Sequence, residues 1–256
     1  MKIVVKVGTS TLAYATGHLN LRHMERLCRV LSDVKNMGHE VILVSSGAVA
    51  TGIGMLNLRE RPTEIAAKQA TAAVGQCELM NTYGKAFGQY NHTVAQILLT
   101  TSDFSHDDRH ANFSNTMACL LEMGVLPIIN ENDTVATEEF SIGDNDTLSA
   151  LVAASVKADL LVLFSDIDGL FDKDPRKHSD AKLIAEVSQI DAELETIAEG
   201  AGSMLGTGGM KTKLCAAKIA TESGCEMVIT NGETPEILYD LLENRPCACT
   251  KFLARR

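Results

Sequence analysis

The sequence opens with an apolar run that ends in a glycine-containing turn, KIVVKVGTS at residues 2–10. Within it, residues 3–7 are interrupted only by Lys6, which is the pattern of a strand buried on both faces. Apolar residues at helical spacing follow, namely Leu21, Met24, Leu27, Leu31 and Val34, and Gly38 marks the end of that helix. Because a buried strand followed by a helix is the unit of a parallel sheet, this opening predicts an α/β fold.

The same rhythm continues along the chain. Further apolar runs of strand length lie at residues 41–44, 94–99, 125–129, 160–164 and 227–229. The run at 227–229 is expected to be the last strand. Continuous apolar runs separated by helical segments are typical of a mainly parallel sheet that is covered by helices on both faces. No internal repeat or low-complexity linker divides the sequence, so we expect one domain with two lobes.

The composition excludes several classes of protein. The chain has 256 residues, 23 Lys and Arg against 33 Asp and Glu, and a net charge of −10. That acidic balance argues against a nucleic-acid partner and against attraction to an anionic membrane. No signal peptide or apolar stretch of spanning length is present. The seven scattered cysteines are expected to be reduced thiols, which favours a cytoplasmic location.

Small and polar residues follow four of the predicted strands. The four stretches are KVGTS at 6–10, SSGA at 45–48, NEND at 130–133 and SDIDG at 165–169. Ligands in parallel sheets bind beyond the carboxyl ends of the strands. Ordinary loop composition would explain any one of these stretches, but their coincidence favours a ligand site.

A fifth candidate is the glycine-rich stretch GTGGMKT at residues 206–212. It is not a P-loop, because Met210 stands where a glycine should precede Lys-Thr, and Lys211 replaces the last glycine of a dinucleotide fingerprint. A helix that begins near Met210 would place Lys211 and Lys213 in its first turn, where cations oppose the helix dipole unless an anion binds there. Two solvated surface lysines are the alternative interpretation.

These motifs, together with GDND at residues 143–146, occur in an order that resembles the glutamate 5-kinases of the amino acid kinase superfamily. The likeness spans essentially the whole chain, and NEND and GDND are its most specific parts. The resemblance implies an open αβα sandwich with a mainly parallel central sheet. It also implies an enzyme that transfers the γ-phosphoryl group of ATP to the γ-carboxylate of L-glutamate, which gives γ-glutamyl phosphate in the first step of proline biosynthesis.

The resemblance further implies roles for individual residues. Lys6 would contact the transferring phosphate, and Asp146 would orient Lys6 and Lys213. Glutamate would be held by Ser46, Gly47, Asp133 and Asn145. The nucleotide site would consist of Lys6, Gly8, Ser165, Asp166, Thr207, Gly208, Gly209, Met210, Lys211, Thr212 and Lys213. We expect no protein ligand for Mg²⁺, which would be held by the ATP phosphates and water.

The resemblance also implies an organisation and partners. Residues 1–256 would form a single amino acid kinase domain, with the acceptor-binding part roughly at 1–150 and the nucleotide-binding part roughly at 151–250. The chain ends about where many relatives continue into a PUA domain, so no PUA domain is expected. The expected partners are proline as a feedback inhibitor, further copies of the chain in a homo-oligomer, and a functional link to γ-glutamyl phosphate reductase.

Three other functions stay open at this point. The chain could be another kinase of the superfamily, with aspartate, acetylglutamate, carbamate or a nucleoside monophosphate as acceptor. It could be a non-catalytic amino-acid sensor on the same fold, although the presence of Lys6, Lys211, Lys213 and Asp146 favours catalysis. An oxidoreductase is disfavoured because the dinucleotide fingerprint fails.

Overall fold

The computed structural model describes residues 1–136, 145–192, 194–196 and 209–255. The chain divides into two units. Val7–Ser141 forms the first, which we call the N-terminal unit. Met1–Lys6 and Ile142–Arg256 form the second, the C-terminal unit, so the first strand of the chain folds with its second half.

The N-terminal unit contains three strands with helices between them. In chain order its elements are α1 (Thr9–Leu12), α2 (Leu21–Asn36), β2 (Glu40–Ser45), α3 (Ala48–Met55), α4 (Ile65–Gly88), β3 (Val94–Leu99), α5 (Thr101–Ser105), α6 (Asp107–Glu122) and β4 (Leu126–Glu131). The strands lie in the order β3-β4-β2 and all pair in parallel. This pairing confirms the predicted parallel strands, and β2 and β4 are buried along most of their length. The prediction of a buried strand at residues 94–99 is wrong, because β3 lies at the edge of the strand order and only its last residue, Leu99, is buried.

Helix α2 shows how the sequence sets the local structure. The Asn20 side chain caps the helix by accepting a hydrogen bond from the His23 backbone N–H. Of the apolar residues at helical spacing, Met24, Leu27, Leu31 and Val34 are buried, whereas Leu21, the first residue of the helix, is 57% exposed. Gly38 follows the helix end with φ +92°, a conformation that suits glycine. The helix predicted from the spacing of leucines is therefore confirmed.

Helices α3 and α4 pack with their backbones unusually close together. A Cβ atom built on Gly52 would lie 1.9 Å from the Thr71 carbonyl oxygen, and one on Gly75 would lie 1.8 Å from the Ala48 carbonyl oxygen. Only glycine fits at such separations. The close packing of α3 against α4 therefore depends on glycine at these two positions.

The C-terminal unit contains the remaining elements. They are β1 (Lys2–Val7), α7 (Asn145–Ser155), β5 (Leu160–Ser165), β6 (Glu186–Val187), α8 (Met210–Glu222), β7 (Glu226–Asn231), α9 (Ile237–Leu242) and β8 (Cys249–Phe252). The strand order here is β1-β5-β7-β8-β6. Strands β5 and β7 pair in parallel, whereas β8 runs antiparallel to β7. The α/β class with a mainly parallel sheet is therefore confirmed.

The expectation that residues 227–229 form the last strand is wrong. The run itself forms the core of β7, but β8 follows it at Cys249–Phe252. The sequence of β8 is CTKF, in which two polar residues separate the apolar ones, so it lacks the continuous apolar run that is typical of a buried parallel strand. The two-residue strand β6 is too short to give a periodic signal.

Two further expectations concern the chain as a whole. All seven cysteines are free in the structure. Among the residues that the structure describes, no helix is long and apolar enough to cross a membrane.

Candidate active site

A buried carboxylate lies between two ammonium groups in the C-terminal unit. Asp146 Oδ1 is 2.5 Å from Lys6 Nζ, and Asp146 Oδ2 is 2.9 Å from Lys213 Nζ. Asp146 is completely buried, and Lys6 and Lys213 are only 6% and 7% exposed. The structure therefore brings together the three side chains for which the resemblance implies catalytic roles.

Each member of this cluster is placed by a different element. Lys6 is the polar interruption of β1, and Asp146 is in the first turn of the buried helix α7. Lys213 is in the first turn of α8, which begins at Met210 after the N-cap residue Gly209. The predicted start of this helix is thus confirmed.

Thr212 also contacts the cluster. Its Oγ1 donates to the Gly209 carbonyl oxygen at 2.7 Å and lies 3.2 Å from Asp146 Oδ2. Lys211, one residue earlier, is exposed, whereas Lys213 is buried. This difference follows from the helix, because residues two apart lie on different faces. The two lysines of the stretch are therefore not equivalent, which the sequence alone did not distinguish.

The electrostatics of the cluster depend on its burial. Burial alone would raise the pKa of the Asp146 carboxyl, but the nearby charges of Lys6 and then Lys213 outweigh it and hold that pKa well below its usual range. The carboxylate is therefore ionised at neutral pH. Two buried ammonium groups therefore contact this one carboxylate, in a chain whose net charge is −10. A pair of lysines held in this way is suited to binding an anionic ligand.

The loop after β5 carries the next two predicted nucleotide contacts. Ser165 Oγ donates to Asp166 Oδ1 at 3.2 Å, and Asp166 forms an ion pair with Arg176 at 2.5 Å. Asp168, further along the loop, accepts a hydrogen bond from the Asn231 side chain at 3.0 Å. No sequence pattern marked Arg176, because it lies ten residues after Asp166 in an irregular segment.

The glycine-rich stretch is only partly described. Thr207 and Gly208 lie outside the described residues. Gly209 precedes α8 with extended backbone, and the side chain of Met210 is buried. The nucleotide contacts expected in this stretch therefore stay predictions.

In the N-terminal unit, the turn after β2 contains two of the predicted glutamate contacts. Ser46 donates its backbone N–H to the Val7 carbonyl oxygen at 3.0 Å. Gly47 has φ +105° and is the N-cap of α3, and its carbonyl oxygen accepts the Thr51 hydroxyl at 2.8 Å. Gly8, also a predicted contact, is the N-cap of α1. Both glycines thus stand at helix N-termini, where free N–H groups favour anions.

The third contact of this unit, Asp133, lies in the loop after β4. The loop is anchored by Asn132, whose backbone N–H donates to the Leu99 carbonyl oxygen at 2.7 Å and whose side chain accepts the Thr134 hydroxyl at 2.6 Å. Burial raises the pKa of the Asp133 carboxyl. A cationic partner would stabilise the charged form of this half-buried carboxylate.

Asn145, the fourth predicted glutamate contact, belongs to the C-terminal unit. It is the first described residue of α7 and is 5% exposed. Because Asn145 directly precedes Asp146, it lies beside the cluster of Lys6, Asp146 and Lys213. The role of Asn145 in holding glutamate stays a prediction, as do those of Ser46, Gly47 and Asp133.

Within the described ranges there is no group of three or more His, Cys, Asp or Glu residues that could hold a metal ion. A Mg²⁺ ion that arrives with a nucleotide would depend on phosphate oxygens and water for most of its ligands.

Comparison with known proteins defines the class of this chain. Residues 1–231 match the model of the amino acid kinase family. The structure of carbamate kinase from Giardia lamblia bound to AMP-PNP has the same fold, with a TM-score of 0.69 and 15% identity over 99% of this chain and 98% of that one. This likeness confirms the predicted αβα fold. The chain belongs to the amino acid kinase family.

Its position within that family follows from closer relatives. The glutamate 5-kinase of Clostridium perfringens is 52% identical, over 100% of this chain and 96% of the relative. The glutamate 5-kinase of Caldanaerobacter subterraneus is 56% identical, over 93% of this chain and 64% of the relative. The chain therefore groups with the glutamate 5-kinases, which confirms the resemblance identified from the sequence motifs.

Proposed function

We propose that this protein is an ATP-dependent kinase that phosphorylates the γ-carboxylate of L-glutamate to give γ-glutamyl phosphate, the first step of proline biosynthesis. The observation that carries the proposal is the buried cluster of Lys6, Asp146 and Lys213, which holds two ammonium groups in fixed positions. The similarity to proteins named glutamate 5-kinase supports the choice of acceptor.

The acceptor itself explains why the cluster contains no general base. A glutamate γ-carboxyl group has an unperturbed pKa of about 4.3, so it is already an anionic nucleophile at neutral pH. The difficulty of the reaction lies in bringing this carboxylate to the polyanionic phosphates of ATP. Phosphoryl transfer depends mainly on positioning and on neutralisation of charge.

Lys6 and Lys213 supply that neutralisation. Their ammonium groups donate to the oxygens of the transferring phosphoryl group, on which negative charge is spread in the transition state. Asp146 holds both ammonium groups and stays ionised, because the lysines keep its pKa low. Asp146 is therefore a positioning residue rather than a base. Mg²⁺, bound to the ATP phosphates, would neutralise further charge.

The remaining assignments divide between the two ligands. Asp133 accepts the α-ammonium group of glutamate, and the α-carboxylate takes donors from Ser46, Asn145 and the backbone of Gly47. ATP binds the segment from Thr207 to Lys213, together with residues of the loops after β1 and β5, namely Gly8, Ser165 and Asp166. In this proposal residues 1–150 serve mainly the acceptor and residues 151–250 the nucleotide.

The proposal also covers the regulation of the enzyme, its assembly and the use of its product. We include in the proposal feedback inhibition by proline, assembly into a homo-oligomer, and transfer of the labile product to γ-glutamyl phosphate reductase. A mixed anhydride such as γ-glutamyl phosphate is prone to hydrolysis, so prompt use of the product by a second enzyme would limit its loss.

Acyl phosphate formation tests the proposal directly. The protein would be incubated with ATP, Mg²⁺ and hydroxylamine, and the hydroxamate measured with L-glutamate, L-aspartate and N-acetyl-L-glutamate side by side. Hydroxamate with glutamate alone is the expected result. Product with a different acid would overturn the assignments of Asp133 and Asn145, and the absence of product from folded protein that binds ATP would favour the sensor interpretation.

A further inference from the structure

Helix α4 carries three polar side chains at intervals of seven residues, Gln69, Gln76 and Tyr83. Seven residues are close to two full helical turns, so the three lie along one face of the helix. Each makes a hydrogen bond to a segment outside α4. All of these contacts lie within the N-terminal unit. We call these three residues the α4 stripe.

The first two members of the stripe hold the loop after β4. Gln69 Nε2 donates to the Ala136 carbonyl oxygen at 3.1 Å. Gln76 Oε1 accepts from Asn130 Nδ2 at 2.9 Å, and Asn130 Oδ1 in turn accepts the backbone N–H of Glu131 at 2.8 Å. The two glutamines therefore fix both ends of the segment 130–136.

The third member holds the turn after β2. Tyr83 Oη lies 2.9 Å from Ser45 Oγ, and Ser45 Oγ donates to the Ser46 carbonyl oxygen at 3.0 Å. Since the Ser45 hydroxyl hydrogen is used in that bond, Tyr83 is the donor to Ser45. Both side chains are completely buried. Burial raises the pKa of Tyr83, which keeps the phenol protonated and able to donate.

We infer that the α4 stripe positions the glutamate contacts of the N-terminal unit. This inference rests on the proposed function, because it takes Ser46, Gly47 and Asp133 as contacts of glutamate. Asp133 lies between the two ends that the glutamines hold, and Ser46 is bonded to Ser45, which Tyr83 holds. Gln69, Gln76 and Tyr83 are therefore positioning residues that act on the acceptor and not on ATP.

The two glutamines provide a test with opposite expected outcomes. Gln76 acts as an acceptor, so Gln76→Glu keeps its bond to Asn130 and Gln76→Leu removes it. Gln69 acts as a donor, so Gln69→Glu places a carboxylate against the Ala136 carbonyl oxygen and loses its bond. Gln89→Glu, on an exposed residue at the end of α4, is the matched control for the added charge.

The tyrosine has its own pair of variants. Tyr83→Phe removes the hydroxyl and leaves the ring that stacks on Phe87. Tyr90→Phe, two residues beyond the end of α4, is the control. For Tyr83→Phe, Gln76→Leu and Gln69→Glu, we expect the KM for glutamate to rise about three- to tenfold, the factor that corresponds to one buried hydrogen bond. The KM for ATP should stay within about twofold, and Gln76→Glu should restore the KM for glutamate.

The two KM values decide whether the α4 stripe positions the glutamate contacts. An equal rise in both KM values, or no rise in a folded variant, would overturn it. If the unaltered protein forms no hydroxamate from glutamate, the proposed function fails, and this inference fails with it. Hydrogen exchange gives a readout besides activity: Gln76→Leu should speed exchange at the Glu131 amide, whereas an unchanged rate would contradict the positioning of segment 130–136 even in a fully active enzyme.

Discussion

Asp146 forms a buried ion pair with Lys6, at a distance of 2.5 Å between Oδ1 and Nζ. Taking two charges out of water is costly, and their attraction compensates only when the geometry is good and the remaining polar atoms are bonded. Here Lys213 Nζ pairs with the second carboxylate oxygen, Asp146 Oδ2. The cluster is therefore a single unit, in which the loss of Asp146 removes the carboxylate that both lysines contact.

Replacement of the shared carboxylate should impair both stability and catalysis. In Asp146→Asn the two ammonium groups stay buried without their counterion, so we expect the free energy of unfolding to fall by about 3–5 kcal/mol. We expect kcat to fall about 100-fold or more, because small displacements of charged groups have effects of that size. Urea unfolding and steady-state kinetics measure the two quantities. Asp33→Asn, on an exposed residue, should change neither, and a normal kcat in Asp146→Asn would refute the positioning role.

The same carboxylate should influence unfolding by acid. Its pKa is lowered in the folded state, so its contribution to stability is fully present above the unfolded value of about 3.9 and is lost as the pH falls toward the folded value. The difference in unfolding free energy between the unaltered protein and Asp146→Asn should thus be constant between pH 7 and about 5 and shrink below about pH 4. A difference that grows with acidification would contradict the lowered pKa.

The two lysines of α8 should differ in their effects. Lys213 is buried against Asp146, whereas Lys211 is exposed. We expect Lys213→Ala to lower kcat by about 10²–10³-fold, as the loss of a donor to a developing oxyanion does, and Lys211→Ala to lower it by a much smaller factor. Both rates are measured at saturating ATP and glutamate. Similar losses in the two variants would show that burial in the cluster does not mark the catalytic lysine.

Asp133 should contribute to the fall of kcat/KM for glutamate at acid pH. Its pKa is raised by burial above the ordinary value of 3.8, so it loses its charge at a higher pH than a solvated aspartate. Since the charged form accepts the α-ammonium group in our proposal, kcat/KM for glutamate should fall as the pH drops through that raised pKa. Asp133→Asn should lose the part of this fall that Asp133 contributes and keep the part due to protonation of the substrate γ-carboxylate, whose unperturbed pKa is about 4.3. It should also raise the KM for glutamate far more than that for ATP. An unchanged KM for glutamate would refute the assignment.

Much of this fold and part of the site could be predicted from the sequence. Buried parallel strands read as continuous apolar runs, so β1 and β5 were recognisable. The start of α8 followed from the helical spacing of Leu214, Ala217 and Ala220. Strand β8 was missed because CTKF contains no continuous apolar run and the strand pairs antiparallel. The α4 stripe was missed for another reason. Polar residues at intervals of seven show only that they share one face of a helix, and the partners of their hydrogen bonds become visible only when α4 is placed against the loops.

The last prediction concerns the glycine that fixes α4 itself. A Cβ atom on Gly75 would lie 1.8 Å from the Ala48 carbonyl oxygen, which belongs to a helix and cannot move aside cheaply, whereas one on Gly84 would meet nothing within 4 Å. We expect Gly75→Ala to lower the free energy of unfolding by about 1–3 kcal/mol or more. Gly84→Ala, in the same helix, should raise it by about 0.5–1 kcal/mol, because alanine favours the helix.

Kinetics extend this comparison to the site. Gly75→Ala must displace α4 from α3, and with it the adjacent Gln76, so the KM for glutamate should rise while the KM for ATP stays nearly constant. Gly84→Ala should leave both KM values unchanged. A Gly75→Ala protein as stable and as active as the unaltered one would show that the two helices do not pack as closely as this structure has them, and the positions assigned to the α4 stripe would then be wrong as well.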